Sequence, residues 1–131
     1  MNQDLIGKRY PPVPFPVTAE RVRAFAEAIG DSDEHVPPTF ATVPEIASLD
    51  QIIGDPDLNL DYSRVVHGEQ EFEWNRPLAL GDELMAECTI ASIRARGSLE
   101  WLVFETELRD AAGELVVRTI DTLIVRGGDS G

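Results

Sequence analysis

Two imidazoles and a run of carboxylates are the side chains best able to move protons in this sequence of 131 residues. Asp31 and His35 close the stretch Asp31-Ser-Asp-Glu-His35. A carboxylate and an imidazole so near each other can serve as general acid and general base, one removing a proton while the other delivers one. A plainer reading has Asp31 capping a turn and His35 solvated in a loop. A metal site built from Asp31, Asp33, Glu34 and His35 is a weaker third reading, since the run is too short for a calcium loop and has no second cluster. The other imidazole, His67, falls by strand parity beside Glu69, Glu71 and Glu73, on a face turned away from a helix, which favours a structural or interface role. Cys88 is the one cysteine. It sits in an alternating strand pattern and reads as a buried structural thiol.

Charge narrows the partners. With 24 acidic against 11 basic residues the formal charge is −13, which offers no basic stripe to a nucleic acid and is repelled by anionic lipid. It also disfavours an acidic carrier protein unless arginines such as Arg94, Arg96 and Arg118 gather around a pocket mouth. Residues 1–9 lack a basic segment followed by an apolar run, and no stretch reaches the roughly 18 apolar residues of a membrane helix. The expectation is a cytoplasmic protein with no membrane or nucleic-acid partner. No phosphate loop, nucleophile elbow or CxxC pair is present, which argues against kinases, the usual serine hydrolases and zinc ribbons.

The elements that must position these groups follow from periodicity. Tyr10-Pro-Pro-Val-Pro-Phe-Pro-Val17 contains four prolines and reads as an extended arm over residues 1–17. Thr18 is a good N-cap, Val17 and Val22 stand at hydrophobic-staple spacing, and Val22, Phe25, Ala26 and Ile29 form one apolar face before Gly30 stops the helix. Pro37 and Pro38 forbid helix until Thr39 can cap one, so a second helix starts near Thr39 or at Pro44, with Ile46, Leu49, Ile52 and Ile53 on one face and Gly54 at its end.

From residue 63 the period changes to two. Val66, Gly68, Gln70, Phe72 and Trp74 share one face of a first strand. Leu84, Ala86, Cys88 and Ile90, then Leu102, Phe104, Thr106 and Leu108, define two more, and residues 115–125 a last one. Turns at residues 96–98 and 110–113 make the final three an antiparallel meander. Each strand keeps one face dry, so the pattern calls for an α+β layer with the sheet covering the apolar second helix. Trp101 and Val103 leave an apolar outer face that favours a dimer. The size fits a single domain over 1–131, ending in a flexible tail at 127–131.

Phe25-Ala-Glu-Ala-Ile-Gly-Asp31 and Pro37-Pro-Thr-Phe40, then Asp61-Tyr-Ser-Arg-Val-Val-His-Gly-Glu-Gln70 and Asn75-Arg-Pro-Leu-Ala-Leu-Gly-Asp82, occur in an order that resembles MaoC-like hydratases and dehydratases. The likeness covers nearly the whole chain. It is greatest to short actinobacterial proteins similar to the non-catalytic subunits of heterodimeric hydroxyacyl-carrier-protein dehydratases. The resemblance implies a hot-dog fold, an antiparallel sheet wrapped around a central helix. It implies a 3-hydroxyacyl or enoyl thioester of coenzyme A or acyl carrier protein as ligand, no cofactor or metal, and a homodimer or a heterodimer with a related hot-dog chain.

For the site, the resemblance matches Asp31 to the family's catalytic aspartate. It places the family's histidine at Val36, where this chain has its imidazole one residue earlier at His35, and much of the family's intervening loop is missing. Dehydration of such a thioester needs a base at the α-carbon, an acid at the departing hydroxyl and a donor for the enolate oxygen. Catalytic roles then fall to Asp31 and His35, with the N–H of Thr39 or Phe40 binding the substrate carbonyl. Two alternatives stay open: a non-catalytic acyl-binding or dimerisation module, and a thioesterase on the same fold.

Overall fold

Strict alternation from residue 83 onward becomes three long neighbouring strands, and everything earlier in the chain packs against or beside them. The computed structural model describes residues 1–30, 36 and 38–126. Its strands are β1 (Val13–Pro16), β2 (Val65–Trp74), β3 (Glu83–Arg96), β4 (Leu99–Arg109) and β5 (Leu115–Arg126), with helices α1 (Ala19–Ile29) and α2 (Thr42–Ile53). The sheet runs β1-β3-β4-β5-β2, with every neighbouring pair antiparallel. This curled sheet with few helices is the expected hot-dog arrangement. No helix among the described residues is long and apolar enough to cross a membrane.

The inner face is dry. Leu84, Ala86, Cys88, Ile90, Leu102, Phe104, Leu108, Val117 and Leu123 are buried and fall into two clusters. At one end Val22 of α1 joins Phe15, Val17, Val36, Phe40, Leu84, Leu108 and Val116. At the other, Leu49 and Ile52 of α2 join Tyr10, Leu58, Cys88, Ile93, Phe104 and Leu123. The arm is strapped to the end of α2: Asp55 Oδ2 accepts from Lys8 Nζ at 2.6 Å and from the Tyr10 hydroxyl at 2.8 Å. The Lys8 bond leads in holding the Asp55 carboxyl below its usual range.

α1 starts as its sequence requires, with Thr18 Oγ1 accepting from Arg21 N–H and Gly30 closing it in the left-handed region. Ile29, however, is 49% exposed, whereas Val22 and Ala26 of the same face are buried. α2 begins at neither expected position. A 3-10 turn over Pro38–Ala41 carries Thr39, and the helix starts at Thr42 with no side-chain cap. Pro44 then lies in the first turn, where a missing N–H costs nothing.

β2 departs furthest from its simple alternation. Register passes from His67↔Leu123 to Glu69↔Thr122, so Gly68 is an extra residue in a β-bulge and the parity flips there. His67 is therefore out of phase with Glu69, Glu71 and Glu73, and Val66 is in phase with them. A Cβ on Gly68 would lie 3.0 Å from Ile124 Cδ1 and 3.3 Å from the Thr122 carbonyl oxygen. Gly68→Val should thus lower stability by about 1–3 kcal/mol through overpacking. Urea unfolding checks this, and Ile124→Ala in the same chain should recover part of the loss.

Candidate functional site

Where β2 ends, the chain makes a loop that is pinned to the start of β5. Asn75 N–H donates to the Val116 carbonyl at 2.8 Å, and Asn75 Nδ2 donates to the Leu115 carbonyl at 3.0 Å. This anchoring shapes a pocket of about 390 Å³ lined by Val36, Trp74, Asn75, Arg76, Pro77 and Leu78. Trp74 stacks on Phe72 with ring centroids 6.1 Å apart and is 37% exposed, so it is a pocket wall and not a core residue. Val36 and Leu78 are buried, which gives the pocket an apolar floor suited to a hydrocarbon group.

Among the described residues of the lining Arg76 carries the charge, and that charge is already engaged. Its guanidinium grips Asp82 with two bonds of 2.9 and 3.1 Å and approaches Asp110 Oδ2 at 3.5 Å. Asp82 also accepts from Ala79 N–H at 2.8 Å. Asp110 accepts from the N–H groups of Ala112 and Glu114, shaping the turn into β5. Arg76 therefore ties the pocket loop to two turns and is a scaffold cation.

The residues singled out for chemistry fall as follows. Asp31 and His35 lie outside the described residues. Thr39 and Phe40 share the 3-10 turn leading into α2. The Phe40 side chain is fully buried, 6.0 Å from the Phe15 ring and edge-on to Phe25 at 5.5 Å. Val36 lines the pocket. Cys88 is buried and in no disulfide. Among the described residues no three His, Cys, Asp or Glu side chains gather as a metal site.

A polar patch inside the sheet escaped the sequence reading. Thr106, Thr119 and Asp121 are fully buried. Thr106 pairs with Thr119 across β4 and β5, and neither hydroxyl has a hydrogen-bond partner. Thr106 falls on the row of Leu102, Phe104 and Leu108; for the other two the signal was the inward parity of Val117, Thr119, Asp121 and Leu123, and an aspartate in that row reads on composition alone as outward.

The Arg76 cluster carries a pH dependence. Burial raises the Asp82 pKa, but the Arg76 and Ala79 hydrogen bonds outweigh it and hold the carboxyl below its usual range. For Asp110 the Glu114 N–H bond leads in the same direction. A depressed folded pKa gives stability that is present above the unfolded value, about 3.9, and is lost as pH falls through the folded one. Arg76→Met should cost about 1–2 kcal/mol at neutral pH, and the gap to the parent should close below about pH 4. Thermal unfolding of both proteins across that range tests it.

Comparison with known proteins places this geometry. Residues 33–119 match the family described as FAS1-like, dehydratase domain region. The UPF0336 protein of Streptomyces avermitilis is 37% identical in an alignment of 148 positions covering 100% of this chain and 99% of that one. That alignment is longer than the chain, so the relative carries residues with no counterpart here. Among solved structures, the truncated HadBC (3R)-hydroxyacyl-ACP dehydratase complex of Mycobacterium tuberculosis is 27% identical with a TM-score of 0.77, covering 95% of this chain and 99% of that one. A MaoC-like dehydratase superposes with a TM-score of 0.82 at 24% identity, over 95% of this chain and 43% of that longer one. By sequence match over most of its length the chain belongs to the FAS1-like dehydratase-region family and to the UPF0336 proteins, and its fold is that of the MaoC-like dehydratases.

Proposed function

We propose that this chain is the partner subunit of a two-chain dehydratase acting on 3-hydroxyacyl or enoyl thioesters, and that its pocket holds part of the acyl group. The observation that carries this is Val36. At the position matched to the family's histidine stands an aliphatic side chain, 8% exposed, that lines the apolar pocket. An apolar wall there suits a hydrocarbon chain and supplies no base. The HadBC neighbour is itself a complex of two different chains, which supports the reading.

The sheet edges point the same way. Of the two, β1 is short. Its Val17 flank donates inward to the Asp82 carbonyl, so by alternation Pro14 and Pro16 take the outward positions, where they have no N–H to offer. β2 is a ten-residue edge that contains no proline, so each of its residues keeps a backbone N–H. Glu69, Glu71 and Glu73 are exposed along it. Antiparallel pairing of β2 with a copy of itself would set glutamate against glutamate, which is destabilising by about 0.2–1 kcal/mol per pair. A related chain with a neutral or basic row would not meet that penalty.

Hydration of crotonyl-coenzyme A by the purified chain tests the role. The chain alone should give no rate above background. A rate that Asp31→Asn abolishes without unfolding would instead establish a self-sufficient hydratase. The edge is tested by native mass: Glu69→Gln with Glu71→Gln should tighten self-association by about fivefold, and an unchanged mass distribution over a concentration series would count against a charge-selected edge.

A further inference from the structure

In a chain with so large an acid surplus, arginines that meet no carboxylate stand out. Arg118 is paired with Glu73 and Glu107, and Arg76 with Asp82 and Asp110. Arg94, Arg96 and Arg126 are exposed and take part in none of the ion pairs among the described residues. The ladder brings these three together. Arg96 pairs with Leu99, and Leu99 with Arg126; two residues along, Arg94 pairs with Trp101, Trp101 with Ile124, and Ile124 with Val66. Directly paired residues project to the same side of a sheet. Val125, in the row between them, and Leu102 and Leu123, in the row beyond, are buried, so both rows lie on the outer face.

The result is a basic and apolar surface at one end of the strands. Arg94, Ala95, Arg96 and Trp101 line a surface pocket of about 420 Å³, and Leu99 and Val66 are exposed beside it. The acidic neighbours are accounted for or stand off. Glu100 is held by the Met1 ammonium at 2.6 Å, Asp61 by Arg64 at 3.1 Å, and Glu69 and Glu105 begin the next rows up the face.

We infer that this surface docks the acidic face of an acyl carrier protein, with Arg94, Arg96 and Arg126 meeting its carboxylates and Trp101, Leu99 and Val66 its apolar residues. The charge argument selects that occupant: a neutral or basic protein would gain nothing from three unneutralised guanidinium groups, and a mixed apolar and cationic area suits a protein face better than a lone phosphate. The inference rests on the partner-subunit reading for its purpose. The surface lies about 26 Å along β5 from Val116, which anchors this chain's own pocket loop. Antiparallel pairing of the β2 edge would bring the Val65 end of β2 beside the far end of a related chain's edge strand, where a chain of the same topology carries its pocket. A carrier docked here would then deliver its thioester to the partner's site.

The test is titration of the purified chain with a fluorescent, crotonyl-loaded acidic acyl carrier protein, read by anisotropy. Binding should weaken as salt rises from about 50 to about 300 mM. Arg94→Glu with Arg96→Glu should raise the Kd at least about tenfold, while Arg109→Glu, at the other end of β4, leaves it unchanged; circular dichroism confirms that each variant is folded. A Kd that the double variant does not move overturns the inference. So does displacement of the carrier by free coenzyme A, which would make the surface a phosphate site. Native mass and crotonyl-coenzyme A hydration, run on the same samples, separate the two ideas. A self-sufficient homodimeric hydratase that loses carrier binding in the double variant removes the partner-subunit reading and keeps the docking surface; an inactive chain indifferent to both charge reversals does the opposite.

Discussion

The structure depends on keeping water off one face of β3, β4 and β5. Leu102, Phe104, Leu108 and Leu123 on that face are fully buried, and burying each large aliphatic or aromatic side chain contributes about 1.5–3 kcal/mol before entropy is set against it. Two short helices cannot cover strands of eleven to fourteen residues unaided. The arm completes the cover, with Tyr10, Phe15 and Val17 each in a core cluster. The cover changes from one element to the next around Val36 and Phe40, and there the pocket opens. Position of the pocket is thus a consequence of how the dry face is roofed.

Much of this was legible in the sequence because alternation is a local signal. The inward rows of β3 and β4 follow from Leu84 to Ile90 and from Leu102 to Leu108 residue by residue, and α1 announces itself through Thr18, the Val17 and Val22 pair, and Gly30. What stayed hidden depends on contacts between distant parts of the chain. Gly68 reads in the sequence as one more member of an alternating face, and only the neighbouring strand, through Ile124 and Thr122, decides that the parity flips there. The pairing of Val13–Pro16 with β3 has no local signature in a proline-rich arm. At the site, the ordered motif around residues 75–82 was visible as a resemblance, whereas the bidentate Arg76 and Asp82 pair that explains it requires the loop to fold back. The buried Asp121 was hidden because its parity argues for the interior and its charge against it.

Charge is sorted in space. Arg76 and Arg118 are consumed in holding turns and strands together, and the glutamates of β2 line one edge. Three arginines that meet no carboxylate among the described residues, Arg94, Arg96 and Arg126, collect at one end of the outer face. Arg118, grouped on sequence with Arg94 and Arg96 as an arginine that could gather at a pocket mouth, is removed from that group by its register with Glu73 and Glu107. Net charge alone therefore says little about what such a protein attracts; local composition after folding decides it.

The prolines of β1 have a consequence for assembly size. A sheet whose two edges were both open could add chains indefinitely and grow toward a fibre. Here Pro14 and Pro16 leave β1 without outward donors, which disfavours growth from that strand and leaves β2 as the edge better able to add a chain. Two chains joined through β2 would each turn the proline strand outward, a geometry that favours a closed pair over a growing stack.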